Sequence, residues 1–121
     1  MVEDDDDMAN LMRRTMEEDG WIVHRAADGK EAKALIGNLS PPALVTLDIF
    51  LPDISGVDLI LHVKGTPGWE RVPIVMVTVK PKDKDVSWAI KTGAKAYLVK
   101  PFKPNELREC VRRFARKPAA D

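Results

Sequence analysis

The chain has 121 residues, a mass of 13.5 kDa and 45% hydrophobic residues, which is enough for one domain with a single core. Its 19 basic and 19 acidic residues give a net charge of zero, which argues against bulk attraction to nucleic acid or to a membrane surface. No apolar run approaches the roughly 18 residues that cross a bilayer, and no signal peptide is evident, so we expect a cytoplasmic protein.

Short apolar segments alternate with amphipathic helical segments along the chain. The first apolar segment is only residues 1–2, and an acidic cluster follows it. Apolar residues at positions 11, 12 and 16 then recur at helical spacing, with Asp7 as the expected cap and Gly20 as the end of the helix. Residues 21–26 form the next apolar segment. Residues 1–26 therefore predict a strand, a helix and a second strand.

The rest of the chain repeats this alternation. Asp28 and Gly29 turn the chain, two prolines at 41 and 42 break the second helix, and Pro104 stands where a helix start tolerates it. The expected elements are a helix over 31–39, a strand over 43–47, a helix over 57–63, a strand over 74–77, a helix over 86–90, a strand over 96–99 and a helix over 104–114. Five strands alternating with five helices predict a doubly wound α/β fold with a five-stranded parallel sheet.

Polar residues follow four of the five predicted strands. Glu3 and Asp4 follow the first, Asp48 the third, Thr78 the fourth and Lys100 the fifth. In a doubly wound sheet, ligands bind outside the carboxyl ends of the strands. We therefore expect these side chains to share one site, in which Asp48 is presented by a turn at residues 52–56.

The chemistry of this set favours phosphoryl transfer. Clustered carboxylates repel one another and need a cation, and oxygen ligands without histidine or cysteine favour Mg²⁺. Lys100 adds a positive charge that can pair with Asp48 or a phosphate, and Thr78 can donate a hydrogen bond to a phosphoryl oxygen. An ionised Asp48 is already a nucleophile, so no general base is required.

These motifs resemble those of the receiver domains of two-component response regulators. The likeness extends over the acidic pair Glu3 and Asp4, the segment 47–56 around Asp48, Thr78, and the segment 97–102 that contains Lys100. It implies a flavodoxin-like (βα)5 sheet in the order 2-1-3-4-5. It also implies that Asp48 is phosphorylated by a histidine kinase or a histidine phosphotransfer protein, and that the protein is not an enzyme beyond Mg²⁺-dependent self-phosphorylation and self-dephosphorylation.

The resemblance also implies roles for the other site residues. Mg²⁺ would be held by Asp4, Asp48 and the main-chain carbonyl of Phe50, with Glu3 acting mainly through a metal-bound water. Thr78 and Tyr97 are similar to the switch pair of the family, in which the hydroxyl moves toward the phosphoryl group and the ring turns inward. The signal would then pass to a protein target on the surface of the fourth helix, fifth strand and fifth helix.

Two departures from the family pattern stand out. Only two residues precede Glu3, so we expect a truncated first strand, and pairing of this strand with another molecule as a homodimer is left open. Val79 stands where the family commonly has alanine or glycine, and its extra methyl groups would slow the reactions of Asp48. These departures make a receiver-like protein-binding module that acts without phosphorylation the alternative function.

The predicted domain covers residues 1–115, and residues 116–121 are expected to form a short tail. The basic residues of the last helix are more simply a solvated helix end than a nucleic-acid site. A phosphatase of the haloacid dehalogenase type would need a second aspartate where this chain has Phe50. No glycine-rich phosphate loop of a nucleotide enzyme follows the first strand.

Overall fold

The computed structural model describes residues 1–79 and 82–116. Within them, each of the five predicted helices is present, and three segments are strands. In chain order the elements are α1 (Asp6–Glu18), α2 (Gly29–Asn38), β1 (Val45–Leu47), α3 (Gly56–Lys64), β2 (Ile74–Val79), α4 (Asp83–Thr92), β3 (Ala96–Lys100) and α5 (Pro104–Phe114). The structure is therefore α/β, as the alternation of the sequence predicts.

The three strands form a parallel sheet in the order β1-β2-β3. Leu47 lies opposite Met76 at the end of β1, and Thr78 lies opposite Val99 near the end of β2. All three strands thus end at the same edge of the sheet. The predicted number of five strands is not reached in residues 1–79 and 82–116.

The first two predicted strands are reduced to isolated pairings. Val2 forms one parallel bridge with Ala26 and another with Leu47, and residues 21–25 lie in no strand. Among the described residues, Val2 is the one residue of the first segment that bridges to the segment 21–26, through Ala26. The expected truncation of the first strand is thus seen as a single bridging residue.

The core lies on both faces of the sheet, because successive residues of a strand point to opposite sides. Ile74 and Met76 of β2 belong to a cluster with α2 and α3 residues, whereas Val75 and Val77 belong to a second cluster with α1 and α5 residues. Each fully buried aliphatic side chain contributes roughly 1.5–3 kcal/mol. Burial on both faces explains the continuous apolar run of β2 and is typical of a doubly wound fold.

Local capping fixes where the helices begin. Asp5, rather than the predicted Asp7, is the cap of α1, and its Oδ1 accepts a hydrogen bond from Met8 N at 2.9 Å. Asp7 lies inside the first turn of α1, where a carboxylate favours the helix dipole. Asp28 and Ser55 cap α2 and α3 in the same way as Asp5. The turns that lead into α1, α2 and α3 therefore have a side-chain acceptor at the position that stops the first turn from fraying.

The C-terminal helix ends at Phe114, and Arg116 N donates to Ala43 O at 2.9 Å. Residues 117–121, which make up most of the predicted tail, lie outside the described residues. In the described part of the chain, no helix has the length and apolar character needed to cross a membrane.

Candidate functional site

Three charged side chains meet at the carboxyl edge of the sheet. Lys100 Nζ donates to Asp48 Oδ2 at 3.0 Å and also bonds to Glu3 Oε1. Glu3, Asp48 and Lys100 are only 2%, 7% and 9% exposed. The prediction that the strand ends bring these groups together therefore agrees with the geometry.

Burial and pairing act in opposite directions on the pKa values of Glu3 and Lys100. Burial raises the pKa of Glu3 above its ordinary value, although the hydrogen bond from Lys100 opposes this rise. Burial alone would lower the pKa of Lys100, but the hydrogen bonds to Glu3 and Asp48 outweigh it and the pKa is raised. Lys100 is consequently held as a charged ammonium group between two carboxylates.

The same edge holds a group of three carboxylates. Oxygen atoms of Glu3, Asp4 and Asp48 all lie within 4.8 Å of one another, with Asp4 exposed and the other two buried. One lysine cannot neutralise three carboxylates. The donor set consists of hard oxygen atoms alone, which fits Mg²⁺ and does not fit the metals that prefer imidazole or thiolate.

The turn after β1 holds Asp48 in place. Asp48 Oδ1 accepts a hydrogen bond from Phe50 N at 2.9 Å, and Phe50 forms an antiparallel bridge with Ser55. At Gly56 a Cβ atom would lie 2.7 Å from the main chain of Ile49, so only glycine allows this close approach. The turn predicted at residues 52–56 is therefore closed by the bridge between Phe50 and Ser55, and it directs the N–H of Phe50 toward Asp48.

Thr78 and Tyr97 lie on adjacent strands but differ in exposure. Thr78 is fully buried, and its Oγ1 has no hydrogen-bond partner among the described residues, whereas Tyr97 is 49% exposed. Neither is joined to Asp48 by a hydrogen bond in the part of the chain that the structure describes. Val79, the residue after Thr78, is 56% exposed at the same edge.

Arg25 is a site residue that the sequence did not reveal. Its Nε and Nη2 donate to Glu3 O at 3.0 and 2.8 Å, and its Nη1 donates to Asp6 Oδ1 at 2.8 Å. The guanidinium group thus fixes the main chain of the acidic segment. The only sequence signal for this role of Arg25 is its position near the end of the segment 21–26, because that segment ends at the same edge of the sheet as Glu3 and Asp4.

Asp53 is a second residue that the sequence did not reveal. Its two carboxylate oxygens accept hydrogen bonds from Gly29 N at 2.8 Å and Lys30 N at 3.0 Å, at the start of α2. The bond from Gly29 lowers the pKa of Asp53. A Cβ atom at Gly29 would lie 2.1 Å from Ile54 Cγ2, so glycine is required here. The turn that holds Asp48 is therefore attached to α2.

Comparison with known proteins gives a consistent picture. The family model described as "Response regulator receiver domain" matches residues 1–112. The chain is 34% identical over 114 residues to an uncharacterized 14.6 kDa protein of Leptolyngbya boryana, with 94% of this chain and 86% of that protein covered. It is 36% identical over 112 residues to the DNA-binding response regulator MtrA of Mycolicibacterium smegmatis, with 93% of this chain covered.

The alignment with MtrA covers 47% of that regulator. The chain is also 33% identical to the phosphate regulon transcriptional regulatory protein PhoB of Rhizobium meliloti, and that alignment covers 51% of PhoB and 97% of this chain. The chain thus spans about half the length of these two curated relatives. Among solved structures, the chemotaxis protein CheY4 of Vibrio cholerae superimposes with a TM-score of 0.87 at 26% identity, covering 93% of each chain. A putative response regulator from Chloroflexus aurantiacus gives a TM-score of 0.83 at 34% identity, covering 93% of this chain and 92% of that chain.

Proposed function

Because the chain belongs to the response regulator receiver domain family, we propose that it accepts a phosphoryl group on Asp48 from a histidine kinase or a histidine phosphotransfer protein. The observation that carries this proposal is the contact of Lys100 Nζ with Asp48 Oδ2 inside a group of three carboxylates. A lone buried ion pair would need no further acids, whereas a phosphoacceptor site needs both the acids and the lysine.

The chemical step follows from the ionised state of Asp48. A carboxylate oxygen of Asp48 attacks the phosphorus atom of a phosphohistidine, an O–P bond forms, the P–N bond breaks, and its electron pair returns to the imidazole nitrogen. No side chain has to remove a proton from Asp48. Lys100, which pairs with Asp48 before the reaction, then pairs with the oxygens of the transferred phosphoryl group.

Mg²⁺ is the cofactor that this donor set fits. Asp4, Asp48 and the main-chain carbonyl of Phe50 would hold it, and Glu3 would act through a bound water. When bound, Mg²⁺ neutralises charge on the phosphoryl oxygens. Arg25 contributes by fixing the main chain of Glu3, so that the acidic pair is already in place before the cation arrives.

The switch is proposed to run through Thr78 and Tyr97. The hydroxyl of Thr78 is buried without a partner in the described residues, which makes a phosphoryl oxygen a favourable acceptor for it. Tyr97 is half-exposed on β3, and its ring would turn inward when Thr78 moves. Trp88 of α4 is exposed and available to a protein target. We expect the target to detect this change by binding to the surface formed by α4, β3 and α5.

The proposal also includes the strand order, the extent of the domain and the limits of its chemistry. Val2 pairs with Ala26 on one side and with Leu47 on the other, which supports the order 2-1-3-4-5 for the complete sheet. The domain extends over residues 1–115. Its chemistry is limited to phosphorylation of its own Asp48 and hydrolysis of the product, without an external substrate.

Intact mass spectrometry after incubation with acetyl phosphate and Mg²⁺ tests the proposal. We expect the mass of one phosphoryl group to be added to the wild-type protein, none to Asp48→Asn, and none when Mg²⁺ is chelated. Asp58→Asn is the matched control, because Asp58 is an exposed aspartate in the first turn of α3 that forms no ion pair with Lys100 in the described part of the chain. Absence of the adduct in folded wild-type protein would instead favour the receiver-like module that binds partners without phosphorylation.

A further inference from the structure

Both main-chain polar groups of Glu3 are bonded to the segment that precedes α2. Glu3 N donates to Ala26 O at 3.0 Å, which joins the two segments through their main chains. Glu3 O accepts from Nε and Nη2 of Arg25, at 3.0 and 2.8 Å. Two consecutive residues, Arg25 and Ala26, therefore fix the orientation of the peptide groups on either side of Glu3.

The bonds of Arg25 also extend past the exposed acid of the site. Its Nη1 donates to Asp6 Oδ1 at 2.8 Å, so one guanidinium group spans residues 3 to 6, with Asp4 inside the span. The side chain of Arg25 is 20% exposed, whereas that of Asp6 is 83% exposed. An ion pair with so exposed a carboxylate contributes little. The two bonds to Glu3 O are therefore the main part of this contact.

The carboxylate of Asp4 depends on its neighbours for its position. Asp4 is exposed, so packing does little to hold its side chain. On its far side, Asp5 N donates to Glu3 Oε2 at 3.1 Å, and Asp5 caps α1. The main chain of Glu3, which Arg25 holds, is thus the support from which Asp4 projects into the group of three carboxylates.

A fixed ligand-bearing segment favours one divalent cation over another. Mg²⁺ demands near-octahedral geometry with ligands at about 2.0–2.1 Å, whereas Ca²⁺ accepts roughly six to eight oxygen ligands at about 2.3–2.6 Å in flexible geometry. Oxygen atoms of Glu3, Asp4 and Asp48 lie within 4.8 Å of one another. Loosening of the segment that carries two of these acids therefore costs more in Mg²⁺ affinity than in Ca²⁺ affinity.

The positive charge of Arg25 acts in the opposite direction. A guanidinium group repels a nearby divalent cation, and the repulsion is the same for Mg²⁺ and Ca²⁺ because the two ions carry the same charge. If charge were the whole effect, removal of Arg25 would tighten the binding of both ions equally. If position is the main effect, removal weakens the binding of Mg²⁺ and reduces the preference for it.

We propose that Arg25 is a positioning residue that gives the carboxylate site its preference for Mg²⁺ over Ca²⁺, because it holds the main chain of Glu3 and thereby the carboxylate of Asp4. This inference rests on the proposed function, since it concerns the cation site of the same acceptor aspartate. Arg25 acts through the main chain and is not itself a ligand, because a guanidinium group has no acceptor to offer a cation.

Two replacements of Arg25 separate position from charge. Arg25→Met removes the charge and all three bonds, whereas Arg25→Lys keeps the charge but cannot reproduce the planar fork. NMR titration of the Asp5 and Phe50 amides of the full chain with MgCl₂ or CaCl₂, at constant ionic strength, measures the two dissociation constants. We expect that of Mg²⁺ to rise at least about fivefold in both variants, and that of Ca²⁺ to change less than about twofold.

Arg13→Met is the matched control. Arg13 pairs with Glu17 on α1, so this replacement removes the same charge without removing a bond to the acidic segment. Its ratio of the two dissociation constants should equal that of the wild-type protein. Far-UV circular dichroism checks that each variant is folded, and Arg25→Lys carries the test alone if Arg25→Met does not fold.

Two results would overturn this inference and leave the proposed function standing, provided that the wild-type protein gains its phosphoryl group on Asp48. One is an equal ratio of Mg²⁺ and Ca²⁺ dissociation constants in the wild-type protein and both Arg25 variants. The other is tighter binding of both ions to Arg25→Met with unchanged binding to Arg25→Lys, which would make the effect of Arg25 purely electrostatic. A folded wild-type protein that binds no Mg²⁺ at millimolar concentration would refute the proposed cation site and this inference together.

Discussion

The ammonium group of Lys100 lies 3.0 Å from Asp48 Oδ2 and thereby ties the last residue of β3 to the residue that follows β1. The same nitrogen bonds to Glu3, so one cation is shared by two buried carboxylates. The exposed Asp4 adds a third acid within 4.8 Å. The site therefore has an excess of negative charge before any cation binds, and its stability depends on how that charge is compensated.

Replacement of Lys100 with methionine is expected to lower the free energy of unfolding by about 3 kcal/mol, because two buried acids lose their counter-ion. Millimolar Mg²⁺ should recover much of this loss, since the cation substitutes for the missing charge. Urea unfolding with and without Mg²⁺ measures both effects. Lys95→Met, which removes an exposed lysine before β3, should change stability little. Equal stability of Lys100→Met and wild type would contradict the ion-paired arrangement.

Thr78→Val is expected to raise the free energy of unfolding by about 1 kcal/mol, because it removes a buried hydroxyl that has no partner among the described residues. The same replacement should abolish the response of Tyr97 to phosphorylation, which amide and ring NMR signals would report. Thr46→Val is the matched control, since Thr46 Oγ1 is the other buried hydroxyl without a partner in that part of the chain. It should also stabilise the fold but leave the Tyr97 response intact.

Asp53→Asn is expected to lower the melting temperature near neutral pH, because it removes the charged acceptor from the start of α2. The folded pKa of Asp53 lies below its ordinary value of 3.8, so its stabilising effect is complete above that value and is lost as the pH falls through the folded pKa. Thermal unfolding from pH 7 to pH 2 should show the two proteins converging at the acidic end. A difference in melting temperature that persists at low pH would mean that the carboxylate charge is not the cause.

Val79→Ala is expected to speed both phosphorylation of Asp48 and loss of the phosphoryl group by about threefold, or ~0.7 kcal/mol in each barrier. The physical reason is that the exposed side chain of Val79 stands at the edge where a donor or a water molecule approaches. Time courses of intact mass measure both rates. Val99→Ala, an exposed valine on β3, should leave them unchanged. Identical rates in Val79→Ala and wild type would exclude a steric role for this residue.

The helices were predictable from the sequence because their apolar spacing and their stop signals agree. The helix that Pro104 opens and Phe114 closes has the predicted bounds, whereas α4 begins at Asp83, three residues before the predicted start. Acidic residues in the first turn of a helix do not contribute to its apolar periodicity, so the spacing of apolar residues predicts a start that is too late. The same limitation explains why the sequence pattern predicts Asp7, and not Asp5, as the cap of α1.

The charged site was predictable because strand ends of a parallel sheet meet at one edge, which places Glu3, Asp48 and Lys100 together without any knowledge of loops. Arg25 and Asp53 could not be predicted in the same way. Arg25 contacts the main chain of Glu3, Asp53 contacts the main chain of Gly29, and main-chain acceptors and donors leave no trace in residue type. The loss of the second predicted strand over residues 21–25 likewise depends on pairing partners, which the spacing of apolar residues does not reveal.

The bidentate bond from Asp53 to the start of α2 makes the turn after β1 and the first turn of α2 a single mechanical unit. Gly29 also lies close to Ile54, because a Cβ atom at Gly29 would be 2.1 Å from Ile54 Cγ2. A group that enters the site and shifts the main chain around Phe50 must therefore either carry α2 along or break two hydrogen bonds. Occupancy of the site is therefore coupled to a second element, α2, which is distant in sequence from Thr78 and Tyr97.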